Sequence, residues 1–211
     1  MTVPFSRVPN NLRAPLFYVE FDNSMANSAT ATQRSLIIGQ MLTGAAAQNA
    51  IPERISSASQ AAERFGSGSI LYGMVKAYFS NDIAGEVWVL PHTDTASMTA
   101  ATATIKVNSP ANATGVISLY IAGIRVQITV VATDTPQMVA TALLNVINRN
   151  SELPVTAKAE ADTLTLTAKN KGSLGNGIDI QLNYRGLMGG RGDTIWPRAC
   201  YYRHERGQWF T

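Results

Sequence analysis

The chain has 211 residues, 45% of them hydrophobic and 15% charged, and its formal net charge is +3. This composition excludes an intrinsically disordered chain, and no apolar run approaches the ~20 residues that span a bilayer, so no membrane partner is predicted. Residues 1–184 carry 12 Lys/Arg and 12 Asp/Glu. The sequence pI of about 9.1 therefore comes from the last residues alone, and a nucleic-acid partner is not predicted for the folded body.

Residues 1–33 are predicted to form an extended arm, because three prolines disfavour a helix there. They lack the basic-then-apolar order of a signal peptide, which predicts synthesis in the cytoplasm. Within the arm, Leu16–Phe21 alternates weakly as a strand with no partner strand nearby in sequence. Such a strand is a template for edge pairing with another chain, although the arm could also lie on its own domain. The candidate subunit-contact residues are Leu16, Phe17, Tyr18, Val19, Glu20 and Phe21.

Residues 34–98 follow a strand, helix, helix, strand order, which indicates part of a layered α/β core. Leu36–Ile38 is predicted as a short buried strand and Glu86–Leu90 as a strand rich in β-forming residues. Serines open the two predicted helices, Ser57–Phe65 and Ser69–Phe79. The second helix is expected to face inward through Ile70, Met74, Val75 and Tyr78. So few strands do not complete a sheet, and we expect partner strands from elsewhere.

Residues 99–186 are predicted to form an inserted α+β domain. Asp94–Thr104, a low-complexity Ala/Thr/Ser stretch, is interpreted as the linker into it. Two alternating strands, Val116–Ile121 and Ile124–Val131, precede a helix with Thr135 as N-cap and Pro136 at the first helical position. The apolar face of that helix is predicted to comprise Met138, Val139, Ala142, Leu143, Val146 and Ile147.

A period of two returns after Pro154. The alternating apolar residues are Val155, Ala157, Ala159, Leu164, Leu166, Ala168, Ile178, Ile180, Leu182 and Tyr184. We therefore predict one twisted, β-rich sheet with the helix packed on one face and a solvated, Thr-rich opposite face. Residues 187–211 form a basic, aromatic tail with no apolar periodicity, which is predicted to be mobile and dispensable. It contains the single cysteine, Cys200, so an internal disulfide is excluded and a reducing compartment is indicated.

Two glycine-rich stretches have structural interpretations that outweigh ligand binding. Gly66–Ser69 lacks the third glycine of a dinucleotide fingerprint and follows a helix, so it is predicted to be a helix C-cap that runs into the next N-cap. Lys169–Gly177 is predicted to be a structured hairpin loop, with an anion-binding nest as the less favoured alternative.

No set of catalytic or metal-binding residues can be assembled from the sequence. The two histidines, His92 and His204, are far apart, and pairing His204 with Cys200 supplies only two metal ligands. The carboxylates are scattered, and no nucleophile–base pair stands out. The sequence therefore predicts no enzyme activity, no metal and no cofactor.

Several stretches in order resemble the contractile-tail sheath proteins of Mu-like phages and prophages. The resemblance covers about residues 1–186 and suggests the N-terminal part of that family. It is carried by Tyr18–Asp22, Gln33–Gln40, Phe65–Ser69, Glu86–Val89, Tyr120–Val126, Leu153–Ala157, Leu164–Asn170, Gly175, Asn176 and Ile178. It implies a structural virion protein whose partners are other sheath subunits, the inner tail tube and the baseplate. The implied location is the tail sheath, with assembly in the host cytoplasm.

In the resembling family, N- and C-terminal parts together form the α/β core, and extended termini link subunits. Members are more than twice as long as this chain, and the resemblance ends near Gly186. The resemblance therefore implies a truncated, assembly-impaired prophage version. The alternative function is a β-rich binding module for glycan or protein, which would expose aromatic side chains on its Thr-rich faces.

Overall fold

The computed structural model of the chain describes residues 34–82, 85–111 and 113–183, and the backbone of residues 200–205. These residues form a mixed α+β fold with three small sheets and three α helices. The predicted arm, residues 1–33, lies outside the described residues. Within them, no helix is both long and apolar enough to cross a bilayer.

The first sheet contains strands β1 (Arg34–Gln40), β2 (Glu53–Ile55) and β3 (Glu86–His92), with β3 in the centre. β1 runs parallel to β3, whereas β2 is antiparallel to it. Helices α1 (Ala58–Phe65) and α2 (Ile70–Asn81) share one apolar core with the side chains on one face of this sheet. Each helix excludes that face from water, as expected for a two-layer unit.

The caps of these two helices confirm the sequence-based interpretation of the stretch between them. The hydroxyl of Ser57 accepts a hydrogen bond from the backbone N–H of Gln60, and that of Ser69 accepts one from Tyr72. α1 ends at Gly66, whose φ of 88° suits a residue without a Cβ. Gly66–Ser69 is therefore a C-cap followed by an N-cap, as predicted.

For this first part, two predictions of which side chains are buried differ from the structure. Leu36–Ile38 is not a buried strand, because only Ile37 faces the helices while its two neighbours are exposed. The helices cover one face of the sheet, so alternate side chains of β1 point to the uncovered face. In α2 the buried residues are Leu71, Tyr72 and Val75, and Met74 is exposed. Val75 is buried and Tyr78 packs against the same core, as predicted, so the predicted face is wrong in its assignment of Met74 and in its omission of Leu71 and Tyr72.

The second part of the fold contains two sheets and the third helix. Its elements are β4 (Ala100–Val107), β5 (Gly115–Ile121), β6 (Ile124–Val130), α3 (Pro136–Arg149), β7 (Val155–Glu160), β8 (Thr163–Lys171), a 3₁₀ helix (Ser173–Gly177) and β9 (Ile180–Leu182). One sheet has the order β4-β8-β7 and the other has the order β6-β5-β9. The inward side chains of both sheets and of α3 form a single core.

Local signals define the start of α3 and the tightest hairpin. The Thr135 hydroxyl accepts a hydrogen bond from the N–H of Met138, and Pro136 is the first helical residue, as predicted. β5 and β6 are joined by Ala122 and Gly123, which both have positive φ, as a two-residue hairpin turn requires.

Four predictions for the second part are wrong, and three of them fail because strand pairing is not local. The strands form two sheets rather than one. The predicted linker Asp94–Thr104 contains the start of β4, where Thr and Ala fill the strand positions. Lys169–Gly177 is not a hairpin loop, since β8 pairs with β4 and β7 whereas β9 pairs with β5. Met138, predicted to face the core, is 56% exposed.

The tail contributes one strand that is not predicted from its sequence. Strand β10 (Cys200–Glu205) pairs antiparallel with β4 over six residues and adds a fourth strand to that sheet. The apolar period is too weak there to predict a strand. This backbone pairing differs from the expectation of a tail without ordered structure.

Candidate subunit-contact surface

The uncovered face of the first sheet is apolar at its centre. Leu36 and Ile38 of β1 lie in register with Trp88 and Leu90 of β3. Leu36 is 58% exposed and Ile38 is 51% exposed, while the two β3 side chains are partly exposed. We call these four side chains the open face. Paired apolar residues at this exposure on neighbouring strands are typical of a surface that another polypeptide covers.

The sheet also ends at β1, which pairs on one side with β3 and has no strand on its other side among the described residues. Met74 of α2 is 43% exposed. A Cβ built on Gly39 would lie 3.3 Å from the sulfur of Met74 and 3.1 Å from Cδ1 of Leu71. Met74 therefore borders the end of β1 on the helix-covered side of the sheet. The free edge of β1 and the open face together form the candidate contact surface.

A polar cluster lies at the start of the same two strands. The indole N–H of Trp88 donates to Oε1 of Glu86 at 2.9 Å, and Nε of Arg34 donates to Oε2 at 3.2 Å. The Trp88 hydrogen bond, with Arg34 and Arg54 as further contributors, lowers the pKa of Glu86. The indole is thereby held by a carboxylate on the uncovered side of the sheet, so its ring is positioned for contact rather than free to rotate.

The edge of another sheet, at β7, is bonded by a side chain of the fold itself. β7 ends its sheet, and the side-chain amide of Asn148 in α3 bonds to it. Asn148 Nδ2 donates to the carbonyl of Ala157 at 2.9 Å, and Oδ1 accepts from the N–H of Ala157 at 2.8 Å. The amide satisfies the backbone groups that an added strand would use at this position. The contrast favours β1 over β7 as an edge for another chain.

A cleft of about 400 Å³ lies between α2 and the second part of the fold. On its wall, Glu152 accepts hydrogen bonds from the Tyr72 hydroxyl at 2.9 Å and from the Lys76 ammonium at 2.8 Å. These hydrogen bonds lower the pKa of Glu152, with Lys76 the larger cause, and the Glu152 bond raises the pKa of Lys76. Burial and then the Glu152 bond raise the pKa of Tyr72. The three polar groups thus bond to one another across the junction.

The described residues contain no cluster of three His, Cys, Asp or Glu side chains that could hold a metal ion. The expectation of no cofactor stays a prediction.

One known protein is similar to most of this chain. The chain is 37% identical over 186 residues to the Mu-like prophage FluMu tail sheath protein of Haemophilus influenzae. It is a partial homologue of that sheath protein. The match covers 87% of this chain but 38% of the sheath protein, so the chain spans well under half the length of its relative. No family model matches the chain.

The contact residues predicted from the sequence, Leu16–Phe21, lie outside the described residues and stay a prediction. The open face was missed, because Leu36–Ile38 was interpreted as buried. The available signal was the uninterrupted apolar run itself, which places apolar side chains on both faces of a strand. In this chain the helices lie on one side of the first sheet, so such a run leaves an apolar face uncovered on the other side.

Proposed function

We propose that this chain is part of a contractile-tail sheath subunit, and that its open face and the free edge of β1 bind the rest of such a subunit or its neighbours. The observation that carries the proposal is the exposure of Leu36 and Ile38 on an edge strand of a two-layer α/β unit. The relationship to a tail sheath protein supplies the class of partner.

The energetics favour covering this surface. Full burial of a Leu or Ile side chain stabilises a structure by roughly 1.5–3 kcal/mol, so covering the remaining half of each contributes about 1 kcal/mol per side chain. Hydrogen bonds to an added strand would satisfy the free backbone groups of β1. A β strand with apolar side chains beside Leu36 and Ile38 on the uncovered face, and beside Met74 on the helix-covered face, is the partner that fits.

The proposed organisation follows the sequence prediction. Residues 1–33 form a linking arm, residues 34–98 the first part of the α/β sheath core, residues 99–186 an inserted domain, and residues 187–211 a tail outside the relationship. The proposed partners are other sheath subunits, the inner tail tube and the baseplate, in the virion tail after assembly in the host cytoplasm. The role is structural and requires no catalysis.

With its open face uncovered, the isolated chain is proposed to be impaired in assembly: it is a monomer when dilute and forms ill-defined aggregates, rather than long tubes, as its concentration rises. The alternative of a glycan-binding module has less support. Residues 99–183 contain one aromatic side chain, Tyr120, which is 8% exposed. A sugar-binding face ordinarily needs exposed aromatic rings, and this part of the chain offers none among its described residues.

The double variant Leu36→Thr/Ile38→Thr tests the proposed surface, because threonine keeps the strand propensity of β1 and removes most of its exposed apolar area. We expect the unmodified chain to self-associate as its concentration rises in sedimentation velocity, and the double variant to remain monomeric. Leu174→Thr is the matched control, since Leu174 is equally exposed but lies on the 3₁₀ helix. Identical sedimentation of the unmodified chain and the double variant would contradict the proposal.

A further inference from the structure

The two apolar cores of the fold are joined by polar contacts. The first core lies within residues 37–89 and the second within residues 103–166. Between them, the last three residues of β8, Lys169, Asn170 and Lys171, contact the first part of the chain through hydrogen bonds. We call these three residues and their partners the polar clasp.

Asn170 is the centre of the clasp and is 3% exposed. Its Oδ1 accepts from the N–H of Ile70, the first residue of α2, at 3.0 Å. Its Nδ2 donates to the carbonyl of Met41 at 3.0 Å and to Oδ1 of Asp94 at 3.1 Å. One buried amide thus binds the start of α2, the end of β1 and the segment after β3. A buried amide with these directional bonds permits one arrangement of its partners.

The neighbours of Asn170 extend the same contact. The backbone N–H of Lys171 donates to Oδ2 of Asp94 at 2.8 Å, and its carbonyl accepts from Gln40 Nε2 at 3.3 Å. The ammonium of Lys169 donates to the carbonyls of Ser151 at 2.7 Å and Ser67 at 3.2 Å. Asp94 therefore holds the side chain of one β8 residue and the backbone of the next with its two oxygens.

Close backbone packing accompanies the clasp. A Cβ built on Gly68 would collide with the carbonyl of Leu153 and would lie 2.8 Å from that of Ser151. The loop before α2 thus approaches the segment before β7 at a distance that only glycine permits. A Cβ on Gly68 would also lie 2.7 Å from the Lys169 ammonium, so the close approach and the clasp adjoin each other, and displacement of one part of the fold would disturb both.

We propose that Asn170 is a positioning residue that fixes the orientation of residues 100–183 relative to residues 34–94, so that the two parts move as one body. The candidate contact surface lies on β1 and β3, and the clasp holds the ends of these two strands. Interfaces between parts of one chain that are polar and small ordinarily allow relative motion. Here directional bonds to one buried amide replace the apolar area that would otherwise limit that motion.

The test is a distance distribution between spin labels on the two parts. Labels at Glu63→Cys in α1 and Thr141→Cys in α3, both exposed positions, report the relative orientation in a Cys200→Ser background. We expect a single narrow distribution for the otherwise unmodified chain and a distribution at least roughly twice as broad for Asn170→Ala, because the clasp no longer opposes relative motion.

Asn148→Ala is the matched control. Asn148 also bridges two elements with its amide, but both elements, α3 and β7, belong to the second part. It should leave the distribution unchanged. A narrow distribution in a folded Asn170→Ala chain would overturn the proposal. If Asn170→Ala fails to fold, Asp94→Ala is the second variant. It removes the bonds of Asp94 to Asn170 and Lys171, while two other partners of Asn170 remain. A distance distribution that is not broadened in Asp94→Ala would also overturn the proposal.

Discussion

Individual polar side chains in the described residues bond to neighbouring elements of the fold. Glu152 bridges Tyr72 and Lys76, Asn148 caps a sheet edge, and Asn170 joins three segments. Burial lowers the pKa of Lys169, whose ammonium is nevertheless held by two backbone carbonyls. These groups have the buried or paired character often sought in catalytic residues, yet each has a structural partner.

Glu152 gives a pH prediction. Its pKa in the folded chain is lowered, so the carboxylate contributes stability above its unfolded pKa of about 4.3, and this contribution is lost as the pH falls through the folded pKa. Both side chains of the Lys76–Glu152 pair are 45% exposed, which limits the effect to roughly 0.2–1 kcal/mol. We expect Glu152→Gln to be less stable than the unmodified chain at pH 7 in low-salt urea unfolding, and the difference to shrink once the pH falls below the unfolded pKa of about 4.3 and through the folded pKa.

The control for this measurement is Glu63→Gln, at an exposed position of α1. This substitution should leave the free energy of unfolding almost unchanged at pH 7 and at low pH. A stability difference for Glu152→Gln that does not shrink as the pH falls below about 4.3, or that grows there, would contradict the assigned hydrogen bonds.

At the scale of single elements, the helices could be predicted from the sequence and the sheets could not. Ser57, Ser69 and Thr135 specify helix starts through hydrogen bonds to residues three positions on, so the information is local. Strand partners are chosen by distant residues. β4 is paired with β8, which lies some 60 residues further along, and nothing in the Asp94–Thr104 stretch indicates that partner.

The face of α3 gives a stability prediction. Leu143 is 3% exposed and lies in the core formed by α3 and the two sheets. Leu143→Ala removes three carbons and leaves a cavity, so we expect a loss of about 2–5 kcal/mol in the free energy of unfolding, measured by urea denaturation.

Met138→Ala distinguishes the observed face of α3 from the predicted one. Both residues were assigned to the apolar face by periodicity, but Met138 is 56% exposed near the start of the helix. Its replacement should cost less than about 0.5 kcal/mol. Equal losses for the two variants would mean that α3 is rotated from the orientation described.

At the scale of the whole molecule, the candidate surface could not be predicted because burial depends on what covers each face. The run Leu36-Ile37-Ile38 fits a strand covered on both sides, and the described residues cover one side. The predicted contact strand, Leu16–Phe21, and the open face are complementary expectations. Leu16–Phe21 is predicted to be a strand with no partner strand nearby in sequence. β1, which carries part of the open face, is an edge strand with no strand on its outer side among the described residues.

Hydrogen exchange of the chain, alone and mixed with the full-length sheath protein of the Haemophilus relative, tests the central claim most directly. In the dilute chain we expect fast exchange at the β1 amides that point away from β3 and at amides 16–21. Incorporation into the sheath should protect both sets and leave the amides of α3 unchanged. A chain that cosediments with the sheath while its β1 amides still exchange at the free rate would contradict the account.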